Sequence, residues 1–199
     1  MITAFAVAAF MQMNVSGATE VSPAQEAEAF MAGMTAQQEE TLDRYMANDY
    51  VNFRANVEGD EKITKEMRDA LFKNLTYEIK GTRQRKGLAV AKVEIKGNDF
   101  SKVLKAYEKD AYDYITENLY EDEVTDKGSL NARCLAIYAD EVEKAADKGK
   151  IMERTIYLPM AADGHNGWTI LLNDEIMVSL LGDLALPGDL PERDGKDAE

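Results

Sequence analysis

Two stretches of the chain alternate apolar and polar residues with period two, and the rest of the reading is built around them. In the first, Leu75, Tyr77 and Ile79 alternate with Thr76, Glu78 and Lys80. Successive side chains of a strand point to opposite faces, so this pattern marks a half-buried strand. In the second, Ala89, Ala91, Val93 and Ile95 share one face, and Lys92, Glu94 and Lys96 the other. Gly81 and Gly87 bracket a polar stretch, Thr82–Lys86, which reads as the loop of a hairpin with one dry and one wet side. A second hairpin is expected from Ile151–Ala162 through the turn Asp163-Gly164-His165-Asn166-Gly167 to Trp168–Leu172.

Helical spacing fills the intervals. Ser22-Pro23 has a capping serine followed by a proline at the first helical position. That helix runs through Ala27, Phe30 and Met31, weakens at Gly33, and restarts at Thr35 with Gln38 as its capping-box partner. Leu42, Tyr45 and Met46 extend the stripe, and 48–60 reads as a connection anchored by Tyr50, Val51 and Phe53. A third helix covers about 62–74, with Ile63, Met67, Ala70 and Leu71 on one face. Between the hairpins, Asn98-Asp99 caps a long helix whose stripe is Phe100, Val103, Leu104, Tyr107, Ala111, Tyr114 and Ile115. After the acidic turn Glu121-Asp122-Glu123, a further helix spans about 129–148, burying Leu130, Cys134, Ile137, Tyr138 and Val142 and stopping at Gly149. Asn173 caps a last short helix carrying Ile176, Met177, Leu180 and Leu181, which Gly182 ends. The expected fold is α+β: a curved antiparallel sheet of two hairpins packed against N-terminal helices, with a helical pair inserted between the hairpins.

The two ends differ from this body. Residues 1–13 are almost wholly apolar, and small polar residues follow, with Ser16-x-Ala18 as a cleavage-type site. The segment 1–20 therefore reads as signal-like, although a basic leading region is missing; a short docking helix is the alternative. It is shorter than the roughly 20 residues a bilayer span needs. Residues 21–186 are expected to form a single α+β domain, and 187–199 a disordered acidic tail.

Composition narrows the partners. The 199 residues carry a net charge of −14, yet 75–100 hold six basic against three acidic side chains. A surface this acidic repels nucleic acid and anionic headgroups over a Debye length of about 8 Å. No nucleic-acid partner and no transmembrane span are expected. The basic side chains of the first hairpin read as protection of a sheet edge.

Candidate chemistry is sparse. There is no phosphate-binding glycine loop, no Cys/His ligand set and no nucleophile elbow, so no cofactor, no metal and no catalytic residue is assigned. The single Cys134 lies on an apolar stripe and reads as a structural thiol. His165, at the hairpin tip, reads as a solvated turn residue or a recognition group. Glu121-Asp122-Glu123 lacks calcium-loop spacing. Arg154 stands out: if Met152, Ile156, Leu158 and Met160 face the core, alternation points Arg154 the same way. It then marks a ligand pocket, with a carboxylate or a tyrosine such as Tyr77 as its companion, or sits at the sheet rim, or else Pro159 marks a bulge that shifts the register. Arg154, Tyr77 and His165 are thus the candidate binding residues. Trp168, the only tryptophan, reads as a packing anchor beside Ile170 and Leu172.

The element order, together with Ser22-Pro23-x-x-x-Ala27, Leu75-Thr76-Tyr77-Glu78-Ile79, Ala89-Val90-Ala91-Lys92-Val93 and Gly167-Trp168-Thr169-Ile170, resembles secreted or surface-anchored bacterial proteins of the nuclear-transport-factor-2-like, cystatin-like superfamily. The likeness covers about 20–186. It implies a cone-shaped sheet that in some relatives holds an isomerase or dehydratase site and in others serves binding or dimerisation. The helical pair at 99–148 departs from the minimal fold, and no lipid-attachment cysteine follows the apolar start. The expectation is a non-enzymatic extracytoplasmic binding or interaction domain for a small molecule or a protein. The alternative is a small-molecule enzyme using a cone cavity. Neither ligand nor oligomeric state is legible.

Overall fold

The computed structural model describes residues 21–45 and 61–187; the signal-like segment, the 48–60 connection and the acidic tail, apart from its first residue, lie outside them. Helices α1 (Pro23–Thr35), α2 (Glu39–Tyr45) and α3 (Glu61–Phe72) precede strands β1 (Thr76–Arg85) and β2 (Leu88–Asn98). Helices α4 (Val103–Glu117), α5 (Asp122–Thr125) and α6 (Lys127–Lys148) follow, then β3 (Ile151–Ala162), β4 (Trp168–Ile170) and α7 (Asp174–Leu180). The strands form one antiparallel sheet in the order β1-β2-β3-β4, so the helical insertion leaves consecutive strands as neighbours. The fold is α+β, as expected.

Local chemistry explains most boundaries. Ser22 accepts from the Gln25 amide while the Gln25 side chain accepts from the Ser22 amide, a complete capping box at the Pro23 start. Asn173 caps α7 by accepting from the Ile176 amide. Three expectations are corrected. Thr35 ends α1 instead of opening a helix, its hydroxyl donating back to the Met31 carbonyl. Asp99 folds an Asx-type turn onto Ser101, so α4 begins only at Val103. Thr82–Arg85 is strand, not loop: the hairpin turns on Lys86-Gly87 alone, both at positive φ as a type I′ turn demands. Gly81 marks a β-bulge, where the register shifts between Ile79 and Gly81.

One hydrophobic cluster runs from α1 to Leu184. The sheet contributes Ala89, Ala91, Val93 and Ile95 from β2, Ile156, Leu158 and Met160 from β3, and Trp168 and Ile170 from β4. The helices close on this side with Ala27, Phe30, Met31 and Met34 of α1, Tyr138 and Val142 of α6, and Met177 and Leu180 of α7. In α6 the buried stripe is Leu135, Ile137, Tyr138, Ala139, Val142 and Ala146, while Leu130 and Cys134 are half-buried. After α7 the chain packs as a strap: Leu181 and Leu184 are buried, the Phe100 amide donates to the Gly182 carbonyl, and Tyr138 Oη donates to the Ala185 carbonyl.

Candidate functional site

The antiparallel register sets Tyr77 opposite Ile95 and Ile95 opposite Arg154, one row across three strands on the helix side. Tyr77 and Arg154 are therefore brought together, two strands and roughly 10 Å apart. Both are already engaged. Tyr77 Oη donates to Glu28 Oε1 on α1 at 2.7 Å. Burial, then the Glu28 carboxylate, pushes its phenol up to about 12. Arg154 donates from Nη1 and Nη2 to the two carboxylate oxygens of Asp183, at 2.6 and 2.8 Å, and touches Met152 Sδ. Its inward direction is as the alternation requires, at the rim, with a carboxylate from the strap as partner.

On the helix side little room is left beside Arg154. The crevice lined by Ile95, Asn98, Phe100, Met152, Arg154 and Gly182 holds about 10 Å³, close to the volume one water needs. Asn98 is buried there, with Oδ1 accepting from Asn74 Nδ2 at 3.0 Å and Nδ2 unpartnered.

His165 lies elsewhere. It is exposed in the turn past the end of β3, and its amide donates to Asp163 Oδ1 at 2.7 Å. The eight residues of strand between Arg154 and Ala162 span about 26 Å, so His165 cannot share a site with Arg154. Trp168 is buried between the β3–β4 hairpin and the core. Half-buried Cys134 lies beside Tyr107, whose phenol is pushed up to about 12 by burial and then by that thiol. Among the described residues, no group of three or more His, Cys, Asp or Glu is placed to hold a metal ion.

The solvent face of the same sheet is open. A hollow of about 550 Å³ crosses β1, β2 and β3, lined by the outward residues Thr76, Glu78, Glu94, Lys96, Glu153 and Thr155 and, between them, by the row Tyr77, Ile95 and Arg154. A second, of about 350 Å³, lies further along, between the Lys80-Gly81 bulge, Arg83, Val90, Lys92 and Tyr157. The two halves differ in chemistry. Around the first, cations and carboxylates are matched: Lys80 bridges Glu78 and Glu94 at 2.6 and 3.0 Å, and Lys96 meets Glu153 at 2.6 Å. Beyond the second the wet face turns apolar, with Leu88 61% exposed, Tyr157 58% and Leu171 46%.

Sequence reasoning assigned no role to this face, though its signal was present. From Leu88 to Ala91 both phases of the alternation are apolar, and Tyr157, Pro159 and Ala161 occupy the outward phase of β3. No family model matches the chain, and no curated protein matches it. Among solved structures, a similar chain is a putative lipoprotein, YcdA, of Bacillus subtilis subsp. subtilis. Its identity is 17% and its TM-score 0.41, with 78% of this chain and 46% of that one covered. This chain thus spans less than half of that protein's length, and so remote a likeness carries no argument about activity or ligand. No helix among the described residues is long and apolar enough to cross a membrane.

Proposed function

We propose that this chain is a non-enzymatic binding or interaction domain working outside the cytoplasm, and that it binds through the solvent face of its sheet. The observation that carries this reading is the contrast between the two faces. On the helix side Ala91, Val93, Leu158 and Met160 are fully or almost fully buried, and Arg154 is spent on Asp183. On the solvent side two adjoining hollows lie beside exposed Leu88, Tyr157 and Leu171. Exposed large apolar groups gathered on one face mark interaction surfaces more than singly scattered ones do. Isomerase- or dehydratase-like chemistry would need free ionisable groups converging on one enclosed point, whereas Tyr77 is bound to Glu28 and Arg154 to Asp183, with about 10 Å³ beside Arg154 on the helix side. The extracytoplasmic placement rests on the signal-like apolar segment at 1–20.

Site-specific photo-crosslinking in the source cells tests the reading. A photoreactive side chain replaces Tyr157 in one strain and Tyr120, exposed near α5 on the helical insertion, in another. A discrete adduct from position 157 and none from 120 is expected. The reverse outcome moves the binding surface to the helical insertion and defeats the proposal.

A further inference from the structure

We infer that the Arg83–Tyr157 end of the sheet's solvent face docks an acidic segment of a partner protein, an inference that rests on the solvent face being the binding surface. Register aligns three outward rows at this end. Gly81, Lys92 and Tyr157 form one; Arg83, Val90 and Pro159 the next; Arg85, Leu88 and Ala161 the last. An apolar floor of Val90, Leu88 and Tyr157 is therefore bordered along β1 by two guanidiniums. At the other end of the face the cations are neutralised by Glu78, Glu94 and Glu153. Arg83, Arg85 and Lys86 form no ion pair among the described residues.

Three cations without an ion-pair partner among the described residues, on a chain of net charge −14, select a partner by sign. Carboxylates close to Arg83 and Arg85 make charge-assisted, bidentate bonds there, while the Leu88–Tyr157 floor takes apolar side chains from the same segment. A polypeptide fits this pairing of features for a further reason. β1 is the edge of the sheet and runs for ten residues, so an extended segment finds a strand edge beside the cations. The same arginines repel a second copy of β1, which disfavours self-pairing through this edge. An anionic lipid surface supplies the charge too, but the remainder of this acidic chain repels it.

The test uses the full chain and a short fluorescein-labelled peptide of alternating Glu and Val, with a Lys/Val peptide and phosphatidylglycerol vesicles in parallel. Fluorescence anisotropy should report salt-sensitive binding of the Glu/Val peptide alone. The double variant Arg83→Glu/Arg85→Glu should weaken it by at least about tenfold, whereas the charge-matched Lys102→Glu/Lys105→Glu should change it less than about twofold. An unchanged urea midpoint confirms that both variants fold. Absence of peptide binding, equal binding by the Arg83/Arg85 variant, equal binding of the Lys/Val peptide, or arginine-dependent binding of vesicles in its place each overturns the inference. Should the peptide fail while the adduct at position 157 still forms, the acidic-segment inference falls and the solvent-face reading stands.

Discussion

The Arg154–Asp183 pair fixes the strap after α7 to the sheet, and its two partners should respond unequally to mutation. The Arg154 side chain is 18% exposed and that of Asp183 is 43% exposed. Neutralising Asp183 leaves a guanidinium mostly withdrawn from water, which costs about 1.5–3 kcal/mol for charge-assisted bonds of this kind. Asp183→Asn is the substitution of choice, because Asp183 sits at φ +61 and Asn tolerates that conformation where Ala does not. Arg154→Met keeps most of the apolar stem and leaves a carboxylate that rehydrates, so its cost should be nearer about 0.5–1.5 kcal/mol. A double-mutant cycle should return a coupling of about 1 kcal/mol. With a urea slope of about 2 kcal/mol/M, Asp183→Asn lowers the unfolding midpoint by roughly 1 M. If Arg154→Met proved costlier than Asp183→Asn, or the coupling fell below about 0.3 kcal/mol, the pair would not be what holds the strap.

Trp168→Ala should cost about 3–5 kcal/mol, as truncating a buried aromatic does, and the parent's fluorescence should resist quencher; a normally melting variant would contradict the buried placement. Gly182→Ala combines φ +67 with a Cβ 2.0 Å from the Asn98 carbonyl oxygen and should cost about 3 kcal/mol or more. Gly81→Ala meets nothing within 4 Å and should cost only backbone strain, about 1–2 kcal/mol; equal urea midpoints for the two variants would refute the close approach. The hairpin turn should loosen in acid. The His165 amide, then the Gly167 amide, hold the Asp163 carboxyl below its ordinary 3.8. The contribution is present above 3.8 and is lost as pH falls through the lower folded value. The His165 and Gly167 amide resonances should therefore shift with a midpoint below 3.8, and a midpoint at or above it would show that the carboxylate is not held.

What the sequence revealed follows the range of the physics involved. Period-two alternation is local, so β2 and the inward direction of Arg154 were readable from the chain. Capping is local too, and Ser22, Pro23 and Asn173 act as their positions require. The partner of Arg154 was not readable, because Asp183 lies 29 residues away beyond a whole helix and turn. The loop expected at Thr82–Lys86 turned out to be strand because tertiary pairing with Val90 and Ala91 outweighed the polar run. In α6, Ile137, Tyr138 and Val142 reach the core as their spacing requires, joined by Leu135, Ala139 and Ala146, whereas Leu130 and Cys134 of the same stripe stay half-buried. The solvent-face surface was written in Leu88, Val90 and Tyr157, but it became visible only when strand pairing set these residues of β2 and β3 side by side on the wet face.

The central claim is that the sheet is filled on its helix side and binds with its solvent side. Methyl-resolved NMR tests it most directly, titrating a panel of small apolar and carboxylate-bearing fragments into the labelled full chain. Shifts should gather on the methyls of Leu88, Val90 and Leu171, while Val93, Ile156 and Leu158 stay silent. Perturbation of Val93, Ile156 and Leu158 with the outward methyls unmoved would reveal a cavity under the helices and contradict the account.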